Sequence, residues 1–134
     1  MATETARNTT LRSPLGRVRG FGSAKGGTHH WWMQRITSVA LLPLTLWFAL
    51  SAASLAGAPY EATRAWIAHP LNAVLLLASI GLAFHHTAAG MQVIIEDYAN
   101  QEWVKVGAIY ATKAICWLLG IASALAVLRI AVQG

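Results

Sequence analysis

Two adjacent histidines, His85 and His86, stand inside a run of 25 residues (71–95) that carries no formal charge. His86 lies 16 residues after Pro70 and 11 before Asp97. In a helix, its imidazole is then about 24 Å from one end and about 16 Å from the other. An ionisable ring so far from water is a candidate for function. Neutral imidazole can offer a nitrogen lone pair to a metal and a ring N–H to a hydrogen-bond acceptor. The plain structural alternative is a neutral histidine hydrogen-bonded to a neighbouring helix.

The surroundings of His86 favour a larger occupant. Ser79, Ala83, His86, Gly90, Val93 and Asp97 are spaced by 4, 3, 4, 3 and 4, which aligns them in one helical stripe. That stripe is small except at the histidine. Such a face admits something bulky and flat, and an axial imidazole would fix it. Haem meets both demands, and Gly90, one turn away, gives the macrocycle clearance. Without the histidine, a stripe of this kind would indicate helix packing alone. His85 points about 100° away and reads as a subunit contact.

Two further groups lie at the ends of the apolar runs. Asp97 and Tyr98 close the second run. A phenolic hydroxyl there can donate to a quinone carbonyl while its ring stays in an apolar slot, with Asp97 orienting basic neighbours. Exposed interfacial residues are the simpler reading of the pair. Arg35 opens the first run and follows His29, His30, Trp31 and Trp32. The tryptophans form an aromatic belt, beside which Arg35 can snorkel to the headgroups. Its charge also suits the anionic propionates of a haem, with His29 or His30 assisting or relaying protons to a quinone.

The elements that must position these groups are membrane spans. Of the 134 residues, 56% are hydrophobic and 11% charged, against roughly 25% charged in soluble domains. Three apolar runs follow, with spans at 36–55, 71–95 and 106–132. Each is long enough to cross a hydrocarbon core of about 30 Å. Pro43 interrupts one backbone hydrogen bond of the first span and predicts a kink. A polar loop with room for a short interfacial helix at 60–67 leads to Pro70, which suits a first helical turn. Lys113 and Arg129 sit towards the two ends of the third span, where long stems snorkel. Gly107, Ala111, Ala114, Gly120 and Ala124 leave space for close helix packing. The fold class is therefore all-α, integral membrane, with three transmembrane helices in one domain (29–134).

Residues 1–28 read as a basic, mobile arm retained in the mature protein. Of the ten basic residues, Arg7, Arg12, Arg17, Arg19, Lys25 and Arg35 precede the first span, and Glu4 is the only acid among them. This asymmetry places the N-terminus in the cytoplasm, or in the matrix of a mitochondrion. Membrane lipid is the expected partner of the arm. Nucleic acid is not, because no folded binding module accompanies the basic residues. Cys116 is the single cysteine, which excludes an internal disulfide.

With those residues in view, the chain resembles the hydrophobic membrane anchor of succinate dehydrogenase, the subunit called D in bacteria. The resemblance is carried by Arg35-Ile36-Thr37 at the start of helix one, His86-x-x-x-Gly90 within helix two, and Asp97-Tyr98 eleven residues beyond that histidine. It extends over roughly residues 29–132. It implies a non-flavin subunit, without catalysis of its own, in the inner membrane of a bacterium (or of a mitochondrion). A second three-helix anchor (C), an iron–sulfur subunit (B) and a flavoprotein (A) would be its partners. It further implies a haem b shared between the anchors, with His86 as an axial ligand and Arg35 as a propionate partner. Tyr98 would be a hydrogen-bond donor to ubiquinone, with Asp97 beside it. Three other readings share parts of this pattern: a haem-free or fumarate reductase-type anchor, a small homodimeric proton-coupled transporter, and a membrane assembly factor.

Overall fold

The computed structural model describes residues 25–133, together with Ser13 and Leu15. Its helices are α1 (Lys25–Ser54), α2 (Tyr60–Ala68), α3 (Pro70–Tyr98) and α4 (Glu102–Gln133). Three of them, over Gly26–Ser54, Pro70–Tyr98 and Glu102–Gln133, are long and apolar enough to cross a membrane. The predicted all-α membrane class is borne out. Residues 25–28, expected within the arm, are helical. The remainder of that arm, apart from Ser13 and Leu15, lies outside the described residues. The spans are longer than the uncharged runs because backbone hydrogen bonding continues past the first charge, whereas hydropathy marks only where lipid ends. α1 continues through Pro43 as one helix.

The connections follow from local chemistry. After Ser54 the chain turns through Gly57, whose φ of 80° lies in the left-handed region that side chains disfavour. Pro59, extended at φ −65° and ψ 154°, precedes α2, and its carbonyl accepts from the N–H groups of Ala62 and Thr63. α2 stops at His69, whose extended backbone is what a residue before proline prefers. Pro70 then starts α3. Asn72 ties the two helices together by donating to the carbonyl of Trp66 at 2.8 Å. Trp66 also stacks on Trp47 of α1, with ring centroids 5.6 Å apart. Three residues separate α3 from α4. Glu102 in the first turn of α4 pairs with Lys105 at 3.3 Å.

α3 is the central element. It packs against α1 on one side and α4 on the other, while α1 and α4 do not pack on each other. Gly120 of α4 seats Phe84 of α3. A Cβ there would stand 3.3 Å from Cδ2 of Phe84, so the aromatic ring rests where a side chain would otherwise project. Gly107, by contrast, faces open space. Only Thr37, Ala73, Leu76, Ala89 and Cys116 are buried among the described residues. Leu42, Leu46, Trp117 and Leu118 are broadly exposed. An apolar exterior of that extent is intelligible only with lipid or apolar protein against it.

Candidate functional site

His86 sits where α3 meets α1, and both of its ring nitrogens face polar groups of that neighbour. Nδ1 is 3.0 Å from the hydroxyl of Thr37. Nε2 is 3.4 Å from the side-chain nitrogen of Gln34, a long contact. Thr37 is 2% exposed, which makes it the most buried polar side chain described. Its hydroxyl also lies 2.8 Å from the carbonyl of Met33, one turn earlier in α1. Gln34 is less well served, because its Oε1 is buried without a hydrogen-bond partner.

Gly90 completes this corner. A Cβ at position 90 would come within 3.2 Å of the Gln34 amide nitrogen, so the bare glycine makes room for whatever stands beside Nε2. The stripe expected around His86 therefore does face a neighbour along part of its length. Gly90 meets Gln34 there, whereas Val93 and Asp97 are exposed. Neither Gln34 nor Thr37 was singled out for chemistry by type alone. Their spacing of three on an apolar helix was the available signal, since it puts two polar groups on one face.

The remaining candidates occupy other surfaces. Arg35 is exposed and stands over the ring of Trp31, 4.3 Å from its centroid, in a cation–π contact. His29 and His30 line a cavity of about 1020 Å³ between α1, α3 and α4. His85, Glu96, Lys113 and Trp117 border the same cavity, whereas His86 does not. His30 is half-buried there, with its Nε2 buried and without a partner. Lys113, expected to snorkel, is half-buried at this cavity. Asp97 and Tyr98 end α3 in the open, Tyr98 being 82% exposed. The chain thus gathers His86 with Gly90, and His29 with His30, but joins neither pair to Arg35 or to Tyr98.

A long apolar bundle with one imidazole held inside it is shared by many proteins, and sequence comparison narrows the choice. A family model described as succinate dehydrogenase/fumarate reductase transmembrane subunit matches residues 9–127. The chain belongs to that family. The match takes in α1, α2 and α3 whole and all but the last six residues of α4. Among curated relatives, the succinate dehydrogenase hydrophobic membrane anchor subunit of Rickettsia bellii is 31% identical over 117 residues, covering 87% of this chain and 94% of its own length. The subunit of the same name from Rickettsia typhi is 30% identical over 117 residues, with the same coverage. The succinate dehydrogenase membrane anchor subunit of Reclinomonas americana is 28% identical over 98 residues, 71% of this chain and 82% of its own. No solved structure gives a significant match. The family resemblance carried by Arg35, His86, Gly90, Asp97 and Tyr98 is borne out, and the three spans are those of a membrane anchor of the succinate dehydrogenase family.

Proposed function

We propose that this chain is the haem-ligating membrane anchor of a succinate:quinone oxidoreductase, a subunit that does not itself oxidise succinate. The partners in this reading are a second three-helix anchor, an iron–sulfur subunit and a flavoprotein. The complex sits in the inner membrane of a bacterium, with the N-terminus of this chain in the cytoplasm. Six basic residues precede the first span and Arg64 alone occupies the first loop, which supports that orientation.

The observation that carries the haem assignment is the environment of His86. Its ring lies within a span, its Nε2 has only a 3.4 Å contact with an imperfectly satisfied amide, and a glycine leaves room beside it. These residues fit an axial ligand. Gln34 is a flexible side chain with little to lose by moving, and Gly90 adds no atoms in the way. Haem b, when bound, would supply a one-electron redox centre, and His86 is the residue of this chain that would hold it. This chain contributes the imidazole, the clearance at Gly90 and the positive charge of Arg35 toward the propionates. Arg35 stands one residue from Gln34 and gives up no ion pair to serve there, since its described contact is with Trp31.

Ubiquinone would bind where the exposed end of α3 meets the iron–sulfur subunit. Tyr98 is the donor to a quinone carbonyl and Asp97 its neighbour. Exposure of both residues suits a wall that a partner completes. His29 and His30, at the same end of the bundle, assist at the propionates or supply protons to the quinone.

The deciding experiment is His86→Ala in the detergent-purified complex, with a reduced-minus-oxidised spectrum recorded against flavin content. Loss or strong perturbation of the haem b bands is expected, because the iron is left one nitrogen short. An unchanged spectrum refutes the ligand.

A further inference from the structure

We propose that Thr37 is a positioning residue for His86, holding the ring by its Nδ1–H so that Nε2 carries the lone pair that binds iron. The inference rests on His86 being the haem ligand and adds which nitrogen acts and what selects it.

A hydroxyl has one hydrogen. Thr37 Oγ1 lies 2.8 Å from the Met33 carbonyl and 3.1 Å from that of Gln34, and both of these groups only accept. Once the hydrogen is committed to the backbone of α1, the 3.0 Å contact with His86 must run the other way. Nδ1–H donates, and a hydroxyl lone pair accepts. Neutral imidazole carries a single N–H, so Nε2 is then unprotonated. The side of the ring facing Gln34 agrees, because the amide presents its nitrogen, a donor, to Nε2. Both contacts describe one tautomer, and it is the one able to ligate through Nε2.

Thr37 also fixes the direction of the ring. Threonine has few χ1 states in a helix, and a bond to the carbonyl one turn back selects one of them. At 2% exposure the hydroxyl has no water with which to exchange this bond. An anchor of this kind on a metal-bound histidine raises the basicity of the ligand and sets its plane. A more basic ligand favours ferric over ferrous iron, so the hydroxyl holds the haem potential down.

The test uses the purified complex with Thr37→Val, Thr37→Ser and Thr37→Ala, alongside His86→Ala. The haem-to-flavin ratio and the haem midpoint potential are measured for each. Thr37→Val and Thr37→Ala remove the acceptor, one keeping bulk and the other deleting it, and both should raise the potential. A tenfold change in the relative affinity for the two iron states corresponds to about 59 mV. Haem occupancy should fall under limiting haem, since losing such a partner typically weakens metal binding roughly 10- to 100-fold. Thr37→Ser keeps the hydroxyl and should stay close to the parent. Parent-like potentials in the valine and alanine variants overturn the inference, as does a serine variant that behaves like valine. If His86→Ala loses haem while the Thr37 series is flat, only the role of Thr37 fails. If His86→Ala keeps its haem spectrum, the ligand assignment fails and takes this inference with it.

Discussion

Gly120 gives the sharpest test of how α3 and α4 are seated. A Cβ at that position would lie 3.3, 3.5 and 3.6 Å from three atoms of Phe84. Alanine therefore needs a shift of only a few tenths of an ångström, partly offset by better helix propensity. Valine adds two further methyl groups to a surface already in contact with the ring, and overpacking of this kind costs about 2 kcal/mol. Cys116, buried one turn earlier on the same face of α4, is a native reporter and the only cysteine of the chain. A membrane-permeant maleimide too bulky for the cavity that Cys116 borders reaches the thiol only when the helices part, so the rate follows the opening equilibrium. Gly120→Val should raise that rate roughly 30-fold, at tenfold per 1.4 kcal/mol. Gly120→Ala should stay within about threefold. Combining Gly120→Val with Phe84→Ala should give less than the product of the single effects, because each removes the same clash or contact. A parent-like rate in Gly120→Val, or strict additivity in the double variant, would refute the seat.

Other outcomes follow from single contacts. Tyr98→Phe should slow quinone reduction by about 2- to 10-fold, the worth of one hydrogen bond, while succinate oxidation with an artificial acceptor is unchanged; equal loss of both activities would point to failed assembly. Gly90→Ala meets only the movable end of Gln34 and should keep haem, whereas Gly90→Leu should lose it; optical spectra normalised to flavin separate the two. Asn72→Ala removes the bond to the Trp66 carbonyl and about 1 kcal/mol. Trypsin added to the face opposite the N-terminus should then cut at Arg64, the sole basic residue between α1 and α4, roughly fivefold faster. Cleavage from the cytoplasmic face instead would reverse the orientation.

Much of the fold was legible in the sequence because lipid imposes a coarse rule. Uncharged runs of the right length become spans, and Pro70 and Gly57 punctuate them. The helix ends were less legible. Arg35 closes the uncharged run, yet α1 reaches back to Lys25, since a charged side chain at an interface does not interrupt the backbone ladder. At the site, the register of His86 and Gly90 could be counted along one helix. The partnership of His86 with Thr37 could not, because it depends on how α1 turns about its own axis against α3. For the same reason the gathering of His29, His30, His85 and Lys113 about one cavity is a property of three helices together and of no local pattern.

Phe84 and His86 stand two positions apart on α3, which points them to nearly opposite sides of that helix. One is keyed into α4 and the other into α1, while α1 and α4 remain apart. The middle helix thus serves as a shared axle. A twist applied at the aromatic end of this lever is carried to the imidazole at the other, so side-chain changes on the third span can reach His86 without touching it.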